Sequence, residues 1–163
     1  MATGRKRRLR VLRGYGVPPD GHAHAALISL IRVHGRVQDA AARMVKEHAG
    51  MTLPHFDVLL TLMLGEGISQ QDLSDRLLVT KGNICVIVQK LEAAELIERR
   101  SDPTDQRFHR LYLTDAGRRV LAKVYPEHRA LTAQIFGDLT QAEQKTLHEL
   151  LNRVDQTFDD LEL

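Results

Sequence analysis

The sequence predicts a mainly α-helical fold carrying one small β-hairpin, and three observations predict it. Apolar residues recur at three-to-four-residue spacing along most of the chain, as amphipathic helices require. The apolar residues are mostly Leu, Val, Ile and Ala, with aromatics at only 4% and no Trp, which suits helices packing on helices. One stretch, residues 96–113, instead sets two strand-like runs around a Ser-Asp-Pro-Thr-Asp turn, the pattern of a hairpin. With 163 residues and 43% hydrophobic content, the chain is one domain, or one domain with an arm, and has enough apolar mass for a core.

Charge is distributed unevenly. Arg5, Lys6, Arg7, Arg8, Arg10 and Arg13 place six cations in the first thirteen residues, with no acid among them; the remaining 17 Lys and Arg stand against 21 acids, a net of −4. Gly14, Gly16, Pro18, Pro19 and Gly21 then break the chain. Residues 1–21 therefore read as a basic arm. It either adds sequence-independent attraction to phosphates or is a solubilising leader. Residues 22–163 read as the folded domain.

From about His24 to His48 a long helix is expected, with Leu27, Leu30, Ile31, Val37, Ala41, Met44 and Val45 on its apolar stripe and Gly50 as its stop. Thr52-Leu53-Pro54 opens a second helix, Pro lying in the first turn where no N–H partner is needed; Phe56, Leu59, Leu60 and Met63 form its buried face. After Gly65-Glu66-Gly67, Ile68 adds a very short strand. Ser69-Gln70-Gln71-Asp72 forms a capping box with a short acid and starts a third helix around Leu73 and Leu77. Val79 and Thr80 turn directly into a fourth. A short helix, a tight turn and a second amphipathic helix make a helix-turn-helix. Residues 96–100 and 109–113 are the strands of the hairpin, which makes a wing behind that motif. Thr114 caps a fifth helix, kinked or interrupted at Pro126 and carried on by Leu131, Ile135 and Phe136. Thr140-Gln141-Ala142-Glu143 is a capping box for the last helix, with Leu147, Leu150, Leu151, Val154, Phe158 and Leu161 as its stripe. The whole is a winged helix-turn-helix over about 52–117, flanked by long helices over about 24–49 and 118–161.

The fourth helix has two unlike faces. Ile84, Ile87, Val88 and Leu91 follow i, i+3, i+4, i+7, and Thr80 stands at the N-cap. The other face carries Lys81, Gly82, Asn83, Cys85, Val86 and Gln89, with Lys90 at its edge. An ordinary solvated face would hold several Glu and Lys. A cation, amides and small residues suit a flat, polar, negative surface such as the major groove of double-stranded DNA. The flanking helices exceed what a winged helix needs for its own core. Either they cover the same chain, or they pair between two copies. A homodimer would set two such helices about one DNA turn apart, roughly 34 Å.

In this order of elements, and in particular residues, the chain resembles the MarR family of transcriptional regulators over roughly residues 24–160. The wing carries Asp105-Gln106-Arg107 and then Leu113-Thr114-Asp115-Ala116-Gly117; the helix-turn-helix carries Leu78 to Ile84, followed by Leu91-Glu92 and Leu96-Ile97-Glu98-Arg99. The resemblance implies that Arg107 enters the minor groove with Asp105 holding it. It implies that Thr80, Lys81, Gly82, Asn83, Gln89 and Lys90 meet bases or phosphates, and that Arg99, Arg100 and Arg110 position the backbone. Cys85 and Val86 depart from the family's more polar pattern on that face; Val86 suits a thymine methyl. The function implied is a repressor that leaves an imperfect palindrome when a small aromatic or anionic effector binds, with His34, Arg36, Met44, His55 and Met63 as candidate effector contacts. The competing reading of those residues is core packing and half-burial.

Other classes fare less well. Redox sensing has one candidate, Cys85, one turn after Lys81 in the second turn of a helix, where thiolate is favoured; otherwise it is a small neutral residue that fits the groove. The scattered histidines form no metal set, and no cofactor is expected. There is no nucleophile elbow, phosphate-cradling glycine loop or HExxH, so no enzyme is expected. A protein-binding winged helix would lack Lys81, Arg107 and Arg110. One cysteine, no membrane-length apolar run and no signal-like leader point to the cytoplasm.

Overall fold

The computed structural model describes residues 21–102, 105 and 109–160. In chain order these form α1 (His22–Ala49), α2 (Leu53–Leu64), β1 (Ile68–Ser69), α3 (Gln70–Leu77), α4 (Lys81–Ala93), β2 (Ile97–Ser101), β3 (His109–Leu113), α5 (Asp115–Phe136) and α6 (Gln141–Asp160). The basic arm lies outside the described residues apart from Gly21. The chain divides into two units, residues 1–40 and 41–163. In the first, the described residues are Gly21 and the α1 segment up to Ala40, on which Leu27, Leu30, Ile31 and Val33 are exposed.

The second unit holds the core. Val45 at the end of α1, Phe56, Leu59 and Leu62 of α2, Leu73 of α3, Ile84, Val88 and Leu91 of α4, Leu111 of β3 and Val124 of α5 are almost wholly buried in one cluster. Each such side chain contributes about 1.5–3 kcal/mol by leaving water. The strand order is β1-β3-β2, both pairs antiparallel, with Ile68 opposite Leu111 and Ile97 opposite Leu113. The expected short strand at Ile68 therefore joins the hairpin as a third member.

Local chemistry sets the element ends. Ser69 and Asp72 complete both bonds of the capping box, and Thr114 caps α5 by accepting from the Gly117 N–H at 3.0 Å. Thr140 and Glu143 do the same work at α6. Gly117 is required by close approach: a Cβ there would lie 2.1 Å from the Leu96 carbonyl oxygen, which itself accepts from the Thr114 N–H at 3.1 Å. One expectation changes. α5 is not interrupted at Pro126 but runs through it as one helix, with Leu121 and Val124 anchored in the core against the bond and the clash that the ring costs.

Candidate nucleic-acid interface

The turn between α3 and α4 is fixed by one buried hydroxyl. α3 ends with Leu78 in the left-handed region (φ 52). The Leu78 N–H donates to the Asp75 carbonyl at 3.3 Å and the Val79 N–H to that of Ser74 at 3.2 Å, the two bonds of a Schellman stop. Ser74, 3% exposed, then donates its hydroxyl to the Val79 carbonyl at 2.6 Å. Val79 is thus held at both backbone groups, and α4 starts at a fixed angle two residues later. Thr80 caps it by accepting from the Asn83 N–H at 3.4 Å.

α4 divides as its sequence divides. Ile84, Val88 and Leu91 are buried, Ile87 is half-buried, and Lys81, Gly82, Asn83, Val86, Gln89 and Lys90 are exposed. Cys85 is half-buried on the exposed side, and Gln89 Nε2 donates to its sulfur at 3.6 Å. Lys90 makes itself felt at His55, whose pKa is lowered first by burial and then by that charge. Glu92, the acid nearest this face in sequence, is engaged by Arg99 at 3.0 Å.

The wing is braced from two directions. Arg110 Nε donates to Asp102 Oδ2 at 2.6 Å, and its Nη1 reaches the Gly67 carbonyl at 3.4 Å. Glu66 accepts from the Leu113 N–H at 2.8 Å and from Arg118 at 2.7 and 2.8 Å. Partial burial pushes the Glu66 carboxyl up, but the Arg118 hydrogen bond, the Leu113 N–H and the charges of Arg118 and Arg100 outweigh it and hold it below the usual range. Arg100 pairs with Glu98 and lies 4.4 Å over the Tyr112 ring. Asp105 is described and half-buried; Gln106 and Arg107 lie outside the described residues.

Sequence reasoning missed Ser74, Glu66 and Asp102. Only the hairpin register could have flagged the last. Once Ser101 faces His109, Asp102 and Arg110 fall at the diagonal spacing across which long side chains meet.

The candidate effector residues fall in both units. His34 and Arg36 are exposed on the first-unit part of α1. Met44 is part of the core, 8% exposed. His55 shares a hydrogen bond with Thr52 at the start of α2, and Met63 is exposed near its end, eight residues on and so about 12 Å along the axis. A histidine not singled out, His128, is half-buried against Phe56 and Tyr125, with ring centres 5.6 and 6.3 Å away, and burial lowers its pKa. Among the described residues no three His, Cys, Asp or Glu are grouped to hold a metal, and no helix is long and apolar enough to cross a membrane.

Comparison with known proteins agrees with this geometry. A family model described as MarR family matches residues 49–107. The chain is 35% identical over 130 residues to the HTH-type transcriptional regulator YkoM of Bacillus subtilis, covering 77% of this chain and 84% of that one. Sco3205, a MarR family transcriptional regulator from Streptomyces coelicolor solved in complex with DNA, is similar with a TM-score of 0.74 and 26% identity over 82% of this chain and 86% of that one. The PcaV transcriptional regulator of the same organism, solved with its natural ligand, gives a TM-score of 0.63 and 25% identity over 76% and 89%.

Proposed function

The chain belongs to the MarR family of DNA-binding transcriptional regulators, and from that premise we propose that two copies bind an imperfect palindrome as a repressor which a small anionic or aromatic effector releases. The exposed face of α4 carries the reading. It presents Lys81, Asn83, Val86, Gln89 and Lys90 to solvent, and its other side is locked into the core. In this reading Thr80, Lys81 and Gly82 lie at a phosphate, where backbone N–H groups and a cation converge at a helix start. Gln89 reads an adenine edge and Val86 a thymine methyl. Cys85 fills the space between them, and Arg107 enters the minor groove next to Asp105.

Exposed apolar surface supports the second copy. Leu150, Leu151, Val154 and Phe158 of α6 are 40–58% exposed, and Leu27, Leu30, Ile31 and Val33 of α1 are 44–62% exposed. Helices with such stripes are normally covered, and a twofold partner covers both. PcaV with its ligand and Sco3205 with DNA support a protein of this fold answering to both.

A mobility-shift experiment on duplex selected from a random pool tests the reading. Binding should favour an inverted repeat and weaken by about 10³–10⁵ between 50 and 200 mM salt for six to ten phosphate contacts. Binding that ignores salt, or no binding at all, would sink it. A thermal-shift screen of phenolic acids tests the effector, since a ligand of the folded state raises its melting temperature.

A further inference from the structure

Asp102 is a carboxylate with 7% of its surface exposed, placed directly after β2, and the reading above gives it no task. It meets the Arg110 guanidinium through Nε at 2.6 Å, and that guanidinium also reaches the Gly67 carbonyl at 3.4 Å. Gly67 returns its N–H to the Leu111 carbonyl at 2.9 Å, and Ser69 pairs with Arg110 across β1 and β3. Three segments therefore converge on one ion pair: the end of β2, the middle of β3 and the turn that leads into α3. A two-stranded ribbon is marginal by itself. An apolar pair would supply burial at least as well, because desolvating a charge pair offsets much of its attraction. The planar fork of arginine adds direction.

We propose that Asp102 is a positioning residue for DNA binding, fixing through Arg110 the direction in which the hairpin leaves the sheet, and that Arg110 is committed to this joint rather than to a phosphate. The inference rests on the DNA-binding reading. It makes a prediction opposite in sign to simple electrostatics. Removing a negative charge beside a polyanion should tighten binding; releasing the hairpin should loosen it.

The test uses the full chain and the duplex that the unaltered protein selects from a random pool. Asp102→Asn should bind roughly tenfold more weakly, a loss of about 1.4 kcal/mol. Arg110→Gln should do the same, and the double variant should be no weaker than the worse single, as for two halves of one joint. Hydroxyl-radical protection in the minor groove should fade in Asp102→Asn, with guanine N7 interference in the major groove kept. Arg110→Lys guards against a misfolded Asn variant. It keeps the charge but not the fork, so it should bind weakly here and near normally if Arg110 served a phosphate. Asp102→Asn binding as well as or better than the unaltered protein, or additive effects, overturns the inference alone. Failure of the unaltered protein to bind any duplex overturns the DNA-binding reading beneath it.

Discussion

At the scale of single residues, two positions separate what shape demands from what charge demands. Gly117 has no room for even one methyl, because the Leu96 carbonyl oxygen occupies its place. Gly117→Ala must push the start of α5 off the end of the hairpin, and overpacking of that kind costs about 1–3 kcal/mol, readable as a lower urea midpoint. Asp57 on α2 is the opposite case, a carboxyl that burial pushes up to about 6. The folded chain then holds a proton that the unfolded chain, with an ordinary Asp near 3.8, has released. Stability is fullest below about pH 4 in this term and falls as pH rises through about 6. Asp57→Asn should therefore stabilise the protein at pH 7.5 by on the order of 1 kcal/mol, discounted for the solvent its carboxyl still meets. The gain should vanish at pH 4; an equal gain at both pH values would refute the assignment. The Gly117 position was legible as part of a motif, but its reason was not, since the carbonyl it accommodates comes from Leu96, far back in the chain. Asp57 gave no signal at all, because burial of one acid on a helix depends on which neighbours fold over it.

Among the elements, caps and periodicity did most of the specifying. Thr80, Thr114, Thr140 and the Ser69–Asp72 box act within three residues, so they could be read before any tertiary contact was known. The buried and exposed sides of α4 were legible for the same reason. Ser74 and Asp102 were not, because their partners are set by the bend at Leu78 and by the strand register. Leu78 also shows a local cost. It holds a left-handed conformation at 91% exposure, a conformation unfavourable by about 1–2 kcal/mol for a residue with a Cβ. Leu78→Gly gives up little packing and should raise stability by about 0.5–1 kcal/mol after the extra freedom of glycine in the unfolded chain is subtracted. A melting temperature that fell instead would mean that the exposed leucine has a partner. Of the two outcomes expected at Pro126, interruption does not occur, since a helix anchored by Leu121 and Val124 carries on past the lost hydrogen bond.

For the molecule as a whole, the decisive issue is the proposed pairing of two copies. Leu151→Glu with Phe158→Glu places two charges on the apolar stripe of α6 and leaves the core untouched. This variant should sediment as a single chain and lose at least tenfold in affinity for a palindromic duplex, since two linked half-sites no longer reinforce each other. A variant that stayed dimeric would move the interface elsewhere. The distribution of burial has a further consequence. Among the described residues, every buried one falls between Ala41 and Val124. In a solitary copy, the part of α1 before Ala41 and the described residues of α6 therefore have little besides backbone bonding to keep them from fraying. On dilution, protease should clip α6 early and leave a resistant fragment centred on α2 and α4. At high concentration the same cut should slow, so susceptibility to digestion becomes a gauge of how many copies are partnered.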